Sequence, residues 1–336
     1  MEFIKYLIGQ YSNPSQMLYA IIFFAIGFVL LIKGGDWFVD GAVGIARRFH
    51  LPDIIVGATV VSIGTTLPEV MVSVTGAMNG QGAMAYGNAI GSIICNTALI
   101  AAISVAVNPG TVNTKTLKMP VLCFFGSAAI YCVAAYVFGF FYRWIGFVLL
   151  AIFAVYMVIT VRQGVKNPDA AQEEEEVKEK PIWMELLLLI GGAAVIAVGA
   201  DLLVNHGTFI ATELGVPETV IALTFVALGT SLPELITTIT SLKKGHASLG
   251  IGNVIGANIF NLVLVSGTSV ALAPFAVPQG KLIFGINESL VLTIPVMLTV
   301  MLILTVPALL KKKLSRWQGI TLLCIYAAFC AFQFIG

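Results

Sequence analysis

Residues 64–69 read GTTLPE, and 165 positions later residues 229–234 read GTSLPE. Each hexamer lies in a stretch apolar enough to cross a bilayer, and each puts a proline and a carboxylate together inside it. Outward from the hexamers the match continues without a gap at the same offset. Asp36 pairs with Asp201, Pro52 with Pro217, Thr59 with Thr224, Asn88 with Asn253, Gly91 with Gly256 and Asn96 with Asn261. The chain therefore reads as two copies of one unit.

Of its 336 residues, 58% are hydrophobic and 10% charged. A soluble domain carries about a quarter charged residues, so this composition indicates a polytopic helical membrane protein. The net charge of +1 and the lack of a basic block speak against a nucleic-acid partner. Cys95, Cys123, Cys132, Cys324 and Cys330 lie in apolar stretches without metal-ligand spacing and read as small hydrophobes. The N-terminus lacks a small-residue cleavage site, so its first span is expected to be retained.

A span needs about 20 mostly apolar residues. Ten stretches qualify: 17–41, 52–76, 84–107, 118–139, 144–162, 182–207, 217–241, 248–272, 286–308 and 316–335. Lys and Arg then sort by side. Arg47, Arg48, Lys115, Lys118, Arg162, Lys166, Lys178, Lys180, Lys243, Lys244, Lys311, Lys312, Lys313 and Arg316 fall in alternate loops, against Lys5, Arg143 and Lys281 in the others. By the positive-inside rule the first set is cytoplasmic and both termini are extracytoplasmic, in a cell membrane.

The fold class expected is all-α: ten transmembrane helices as two inverted five-helix repeats. Residues 1–162 form the first half, with its repeated core segment at about 52–107. Residues 163–181, containing QEEEEVKEK, form a charged cytoplasmic linker, read as a solvated tether rather than a calcium sensor. Residues 182–336 form the second half, with the matching core at about 217–272. An odd number of spans per half inserts the second half upside down, an architecture that places a binding site near the midplane where the halves meet.

The hexamers can supply that site. Pro68 has no amide hydrogen and its ring clashes with the carbonyl four residues back, so carbonyls near residues 62–65 are expected to leave the helical ladder. Thr65 and Glu69 share a face, and Thr66 lies about 100° round the helix. Thr230, Ser231, Glu234 and the carbonyls near Ala227 repeat the arrangement. In the third span Asn88, Ser92 and Asn96 form a polar stripe beside Gly87 and Gly91. In the eighth, Asn253 and Asn261 do so beside Gly252 and Gly256, with Ala257 where the first half has Ser92. An all-oxygen set with two carboxylates and no His or Cys favours a hard cation, Ca²⁺ above Mg²⁺. Asn88 and Asn253 are explained equally well as interhelical glue. Lys33, which has no basic repeat mate, is expected to pair with Asp36 or to snorkel. Asp36 and Asp201 are expected near helix ends.

The paired GTTLPE…GNAIGSIICN and GTSLPE…GNVIGANIFN segments resemble the cation/Ca²⁺ exchanger superfamily, in particular prokaryotic sodium/calcium exchangers, over nearly the whole chain. The resemblance implies Glu69 and Glu234 as principal Ca²⁺ ligands, assisted by Thr65 and Thr230. It implies Na⁺ positions formed by Thr66, Ser231, Ser92 and the carbonyls of Ser62 and Ala227, with Asn96 and Asn261 lining the middle. The activity implied is Ca²⁺/Na⁺ antiport by alternating access, with Ca²⁺ and Na⁺ as substrates, no cofactor and no protein partner. Ala257 and Asn261 depart from the family pattern, where a hydroxyl and an Asp are frequent, so H⁺/Ca²⁺ exchange is the alternative. A channel fits less well because the ligands converge within one chain. An enzyme is not expected, since no nucleophile–base pair or cofactor motif occurs.

Overall fold

The computed structural model describes residues 14–49, 51–166, 180–214, 227–279 and 282–335. The acidic run of the expected linker and most of the first half of the expected seventh span lie outside them. The described chain is mostly helical: α1 (Pro14–Arg48), α2 (Asp53–Met78), α3 (Gly82–Val107), α4 (Thr114–Phe138), α5 (Arg143–Lys166) and α6 (Ile182–Glu213), then α7 (Ala227–Thr230), α8 (Leu232–Lys243), α9 (Ala247–Leu272), α10 (Ser289–Lys311) and α11 (Arg316–Ile335). Eight of these described helices are long and apolar enough to cross a membrane. The protein is a multi-pass helical membrane protein.

Helices α1 and α6 outrun the expected spans 17–41 and 182–207 by about two turns, because they pack on each other along their length. Their glycines are heptad-spaced at Gly27, Gly34 and Gly41 and at Gly192 and Gly199. A Cβ on Gly27 would lie 2.8 Å from the Gly199 carbonyl oxygen, and one on Gly192 would lie 2.9 Å from that of Gly34. Gly41 meets Glu185 and Leu189, so the pair runs antiparallel with backbones in contact. The two glycine contacts, 27 with 199 and 192 with 34, exchange under the 165-residue offset.

A two-residue ladder closes each end of the rest. At one end β1 (Gly110–Thr111) pairs with β6 (Lys313–Leu314); at the other β2 (Phe140–Phe141) pairs with β3 (Phe275–Ala276). The residues of β1 and β3 are themselves 165 apart. Basic residues crowd the β1–β6 end, where Arg48 Nε also donates to Glu185 Oε2 at 3.1 Å and His246 Nδ1 lies 2.7 Å from Asp53 Oδ2. A short hairpin, β4 (Leu282–Ile283) with β5 (Ile286–Asn287), precedes α10.

Asp36 and Asp201 lie well inside α1 and α6, not near their ends, because both helices continue past the bilayer-length span. Nor does Asp36 take Lys33 as partner: Lys244 Nζ lies 3.8 Å from its carboxylate and 2.7 Å from that of Asp40, tying α1 to the end of α8. Lys33 is exposed. Between part of the α1–α6 pair and helices α2, α7 and α8 lies an apolar groove of about 880 Å³, lined by Phe38, Ala193, Ala197, Leu67, Pro68 and Pro233 among others.

Candidate cation site

Helix α2 reaches the site through a local change of helix type. Gly57–Val61 form a π-turn, after which Ser62–Met78 run as α-helix straight through Pro68. Such turns leave a carbonyl without a ladder partner; here Tyr156 OH donates to Ala58 O at 3.3 Å. Thr59 Oγ1 donates back to Ile55 O at 2.7 Å. The second hexamer folds differently. Helix α7 stops at Thr230, Ser231 takes a non-helical turn, and Pro233 sits in the first turn of α8, where a missing amide hydrogen costs nothing. The expected continuous seventh span is thus broken at the hexamer, while the second span is not.

Close approach of α2 and α9 is built on glycine. A Cβ at Gly57 would meet the Leu249 carbonyl, one at Gly252 the Ile54 carbonyl, and one at Gly256 the Ser62 hydroxyl. At Gly87 and Gly91 a Cβ would meet nothing among the described residues; most of the matching partner segment, 219–227, lies outside them. The glycine stripe expected on both helices is therefore seen in contact on α9.

The polar groups meet between these helices. Thr65 Oγ1 donates to Asn253 Oδ1 at 3.1 Å, and Thr230 Oγ1 donates to Asn88 Oδ1 at 3.3 Å, two bonds that exchange under the repeat offset. The Ser62 hydroxyl lies 2.7 Å from Gly57 O and 3.0 Å from Asn253 O. Asn88 Nδ2 donates to Glu69 O at 3.2 Å and to Ser73 Oγ at 2.8 Å. Asn88 and Asn253 thus hold the two hexamers onto the opposite repeat's third helix, which is the glue reading.

Glu69 and Glu234 are fully buried, and none of their four carboxylate oxygens has a hydrogen-bond partner. Helix α8, which carries Glu234, packs against Ser62–Met78 of α2, which carries Glu69. On these helices Thr66 Oγ1 and Ser231 Oγ, and on the segments Asn96–Ala101 and Asn261–Val265 packed against them both amide atoms of Asn96 and of Asn261, are likewise buried and unpartnered. Ser92 is buried on α3 and Ala257 on α9, while Ala227 heads α7. Asn96 and Asn261 each open a π-turn, Asn96–Ala101 and Asn261–Val265, a matched feature that residue periodicity does not reveal.

Leaving one buried polar group unpaired costs about 1–3 kcal/mol, and an unpaired charge more. These orphaned oxygens and two carboxylates, with no basic residue among the described residues bonded to either, have the chemistry to hold a hard cation. The described residues hold no cluster of three or more His, Cys, Asp or Glu, so neutral oxygens must complete any coordination sphere.

Two neighbours were not legible from the stripes. Asn258 Nδ2 donates to Thr97 Oγ1 at 2.7 Å behind the site, but its repeat mate is Ile93, so the duplicated pattern gave no signal. The Tyr326 hydroxyl, 3.7 Å from Cys95 Sγ, brings α11 against α3 next to Asn96.

A model of the sodium/calcium exchanger protein family matches residues 19–162 and again 184–335, the two matches starting 165 residues apart. The chain belongs to the sodium/calcium exchanger family. A sodium/calcium exchanger of Methanosarcina acetivorans is 30% identical over 92% of this chain and 97% of its own length. An uncharacterized membrane protein of Methanocaldococcus jannaschii is 35% identical over 93% and 97%. Among solved structures, the sodium-calcium exchanger NCX_Mj soaked with Na⁺ and Sr²⁺ superposes with a TM-score of 0.79 at 31% identity, covering 94% of this chain and 99% of that one. This exchanger-family chain therefore shares its fold with a cation antiporter over nearly its whole length.

Proposed function

We propose that the protein is a secondary active antiporter that exchanges Ca²⁺ for Na⁺ across the cell membrane at a midplane, all-oxygen site. The observation that carries this reading is the pair Glu69 and Glu234, fully buried with all four oxygens unpartnered and ringed by orphaned amides and hydroxyls. Glu69 and Glu234 supply the charge for Ca²⁺, and Thr65 and Thr230 assist. Thr66, Ser231, Ser92 and the carbonyls of Ser62 and Ala227 serve Na⁺, and Asn96 and Asn261 line the centre. Likeness to exchangers whose names specify sodium and calcium supports the ion pair. No cofactor is required, since the ions are substrates.

In this reading the chain has ten spans as two inverted halves, 1–162 and 182–336, joined by the linker 163–181. Two contacts support the inversion because each maps onto its own image at the 165-residue offset: the α1–α6 glycines and the two Thr–Asn bonds. The strands β1 and β3, 165 residues apart, belong to ladders at opposite ends, which agrees with it. The Lys and Arg at the β1–β6 end make that end cytoplasmic and place both termini outside.

Exchange follows from charge. An empty cage holding two carboxylates is costly to occlude in low dielectric, whereas a cage neutralised by Ca²⁺ or by several Na⁺ is not. Only loaded states then cross. The α1–α6 pair is the moving element: its inner contact is glycine on backbone, and the groove beside Gly64, Pro68 and Pro233 leaves it room to slide.

The test is ⁴⁵Ca²⁺ uptake into proteoliposomes under an outward Na⁺ gradient compared with an outward proton gradient. Uptake driven by Na⁺ alone is expected. Uptake driven by protons alone would move the reading to H⁺/Ca²⁺ exchange, which Ala257 and Asn261 favour by removing one hydroxyl and one charge from the cage. Uptake needing neither would make the protein a channel.

Ala257, fully buried opposite Ser92 in the repeat, gives a graded check. The substitution Ala257→Ser restores a hydroxyl oxygen, worth about 1 kcal/mol as a ligand contact. It is expected to lower the Na⁺ concentration for half-maximal exchange by about 5-fold. Titration of Ca²⁺ efflux against external Na⁺ measures it, and an unchanged midpoint would place residue 257 outside the Na⁺ shell.

A further inference from the structure

On α8, Thr237, Thr238 and Ser241 follow Glu234 at three, four and seven positions and so continue its face toward Lys244. All three are buried, at 0%, 2% and 0% exposure, and none of their hydroxyls has a hydrogen-bond partner. Other hydroxyls on its helices bond back to their own backbone: Thr59 to Ile55 O at 2.7 Å, Thr268 to Leu264 O at 2.6 Å, Ser269 to Val265 O at 2.8 Å and Thr305 to Met301 O at 2.6 Å. Away from the carboxylates, Ser127 and Thr160 are single unpartnered hydroxyls, whereas α8 lines up three on one face. Thr240, on the other side of α8, is turned to α1, 3.0 Å from where a Cβ on Gly35 would stand. The unpartnered stripe looks the opposite way. There α8 packs against Asn96–Ala101 and Ala102–Val107 of α3 and against α9, where Gly250 abuts Thr238.

The repeat supplies a control. The equivalent positions after Glu69 on α2 are Val72, Ser73 and Gly76. Only Ser73 has a hydroxyl, and it is occupied as acceptor for Asn88 Nδ2 at 2.8 Å. The two carboxylates match, but the stripe beyond them exists on one side alone.

We propose that Thr237, Thr238 and Ser241 form a transit site for a partly dehydrated hard cation, linking the central carboxylates to the side of the membrane that carries Lys243 and Lys244. This rests on the antiport reading and deepens it. Neutral hydroxyls replace hydration oxygens without the depth of a carboxylate trap, as a path that must also release its ion requires. From Glu234 to Ser241 the stripe spans about 10 Å of helix, two turns. The mate of this path on α2 lacks free hydroxyls, so the two faces of the transporter handle the same ion unequally.

The experiment measures the apparent KM for ⁴⁵Ca²⁺ separately from each side, in inside-out and right-side-out vesicles, for wild type, Thr237→Val/Ser241→Ala and Thr237→Ser. The double variant is expected to raise the KM on the Lys244 side about 5- to 10-fold, the loss of one or two charge–dipole contacts. The opposite side should stay within about 2-fold, and Thr237→Ser should behave as wild type. An equal change on both faces, or none on either, would overturn the transit site while leaving exchange itself intact. Absence of ion-driven Ca²⁺ uptake in wild type would instead sink the antiport reading. Should the double variant fail to insert, Ser241→Cys decides: a membrane-impermeant thiol reagent is expected to modify it from the Lys244 side, with Ca²⁺ protecting. Modification from the other side only, or none from either, would refute the path.

Discussion

Replacing Glu69 or Glu234 by Gln is expected to abolish Ca²⁺ transport, by at least about 100-fold, while leaving insertion intact. Gln keeps the shape and one oxygen but removes half of the cage's formal charge. Taking one partner from a buried ionic contact costs about 3–5 kcal/mol, which as affinity is a factor of about 100 or more. Stability should move the other way. With no cation bound, two buried carboxyl groups lie without a hydrogen-bond partner, so either Gln variant should melt higher than wild type in Ca²⁺- and Na⁺-free buffer. Wild type should gain stability as Ca²⁺ is added, about 2.7 kcal/mol at 100 times the Kd, and the variants should not. Thermal melts with and without Ca²⁺, run beside ⁴⁵Ca²⁺ uptake, separate a lost ligand from a misfolded protein. Full transport in either variant would remove that residue from the central cage.

The contrast between the two hexamers marks what sequence can convey. The duplicated residues, their oxygens and the alternation of basic loops are local or additive properties, readable from order alone. They single out Glu69, Glu234, Asn96 and Asn261, because polar residues duplicated inside apolar spans are costly to keep without a use. The break at Ser231 was not readable, since GTTLPE stays helical through Pro68 with nearly the same residues. What differs is the surroundings. The π-turns at Asn96 and Asn261 are of the same kind, because a widened turn depends on what packs beside it. So is the Lys244 contact to Asp36 and Asp40, made across some 200 residues of chain. The hydroxyls of α8 are illegible for the opposite reason: their positions in the first half are Val72, Ser73 and Gly76, so as a set they carry no repeat signal.

The second large effect is expected at a residue with no side chain. Gly256→Val should abolish transport and lower the apparent Tm by about 5 °C or more. Its Cβ would meet the Ser62 hydroxyl and stand 2.7 Å from Ala58 Cα and 2.8 Å from Ala58 O. Two of those three atoms are backbone, which cannot rotate away, so the clash must be relieved by separating α9 from α2. Overpacking of this kind costs about 1–3 kcal/mol, and more where backbone blocks relaxation. Separation would also stretch the Thr65–Asn253 bond and move Asn261 away from the carboxylates, so transport falls even in protein that still folds. Gly126→Val is the matched control, because a Cβ there meets nothing within 4 Å on an exposed face of α4. Wild-type uptake in Gly256→Val, or an equal loss in Gly126→Val, would show that transport does not depend on backbone-to-backbone approach of α2 and α9. If only Gly256→Val fails, the cage owes its oxygen geometry to the glycine that lets its walls meet.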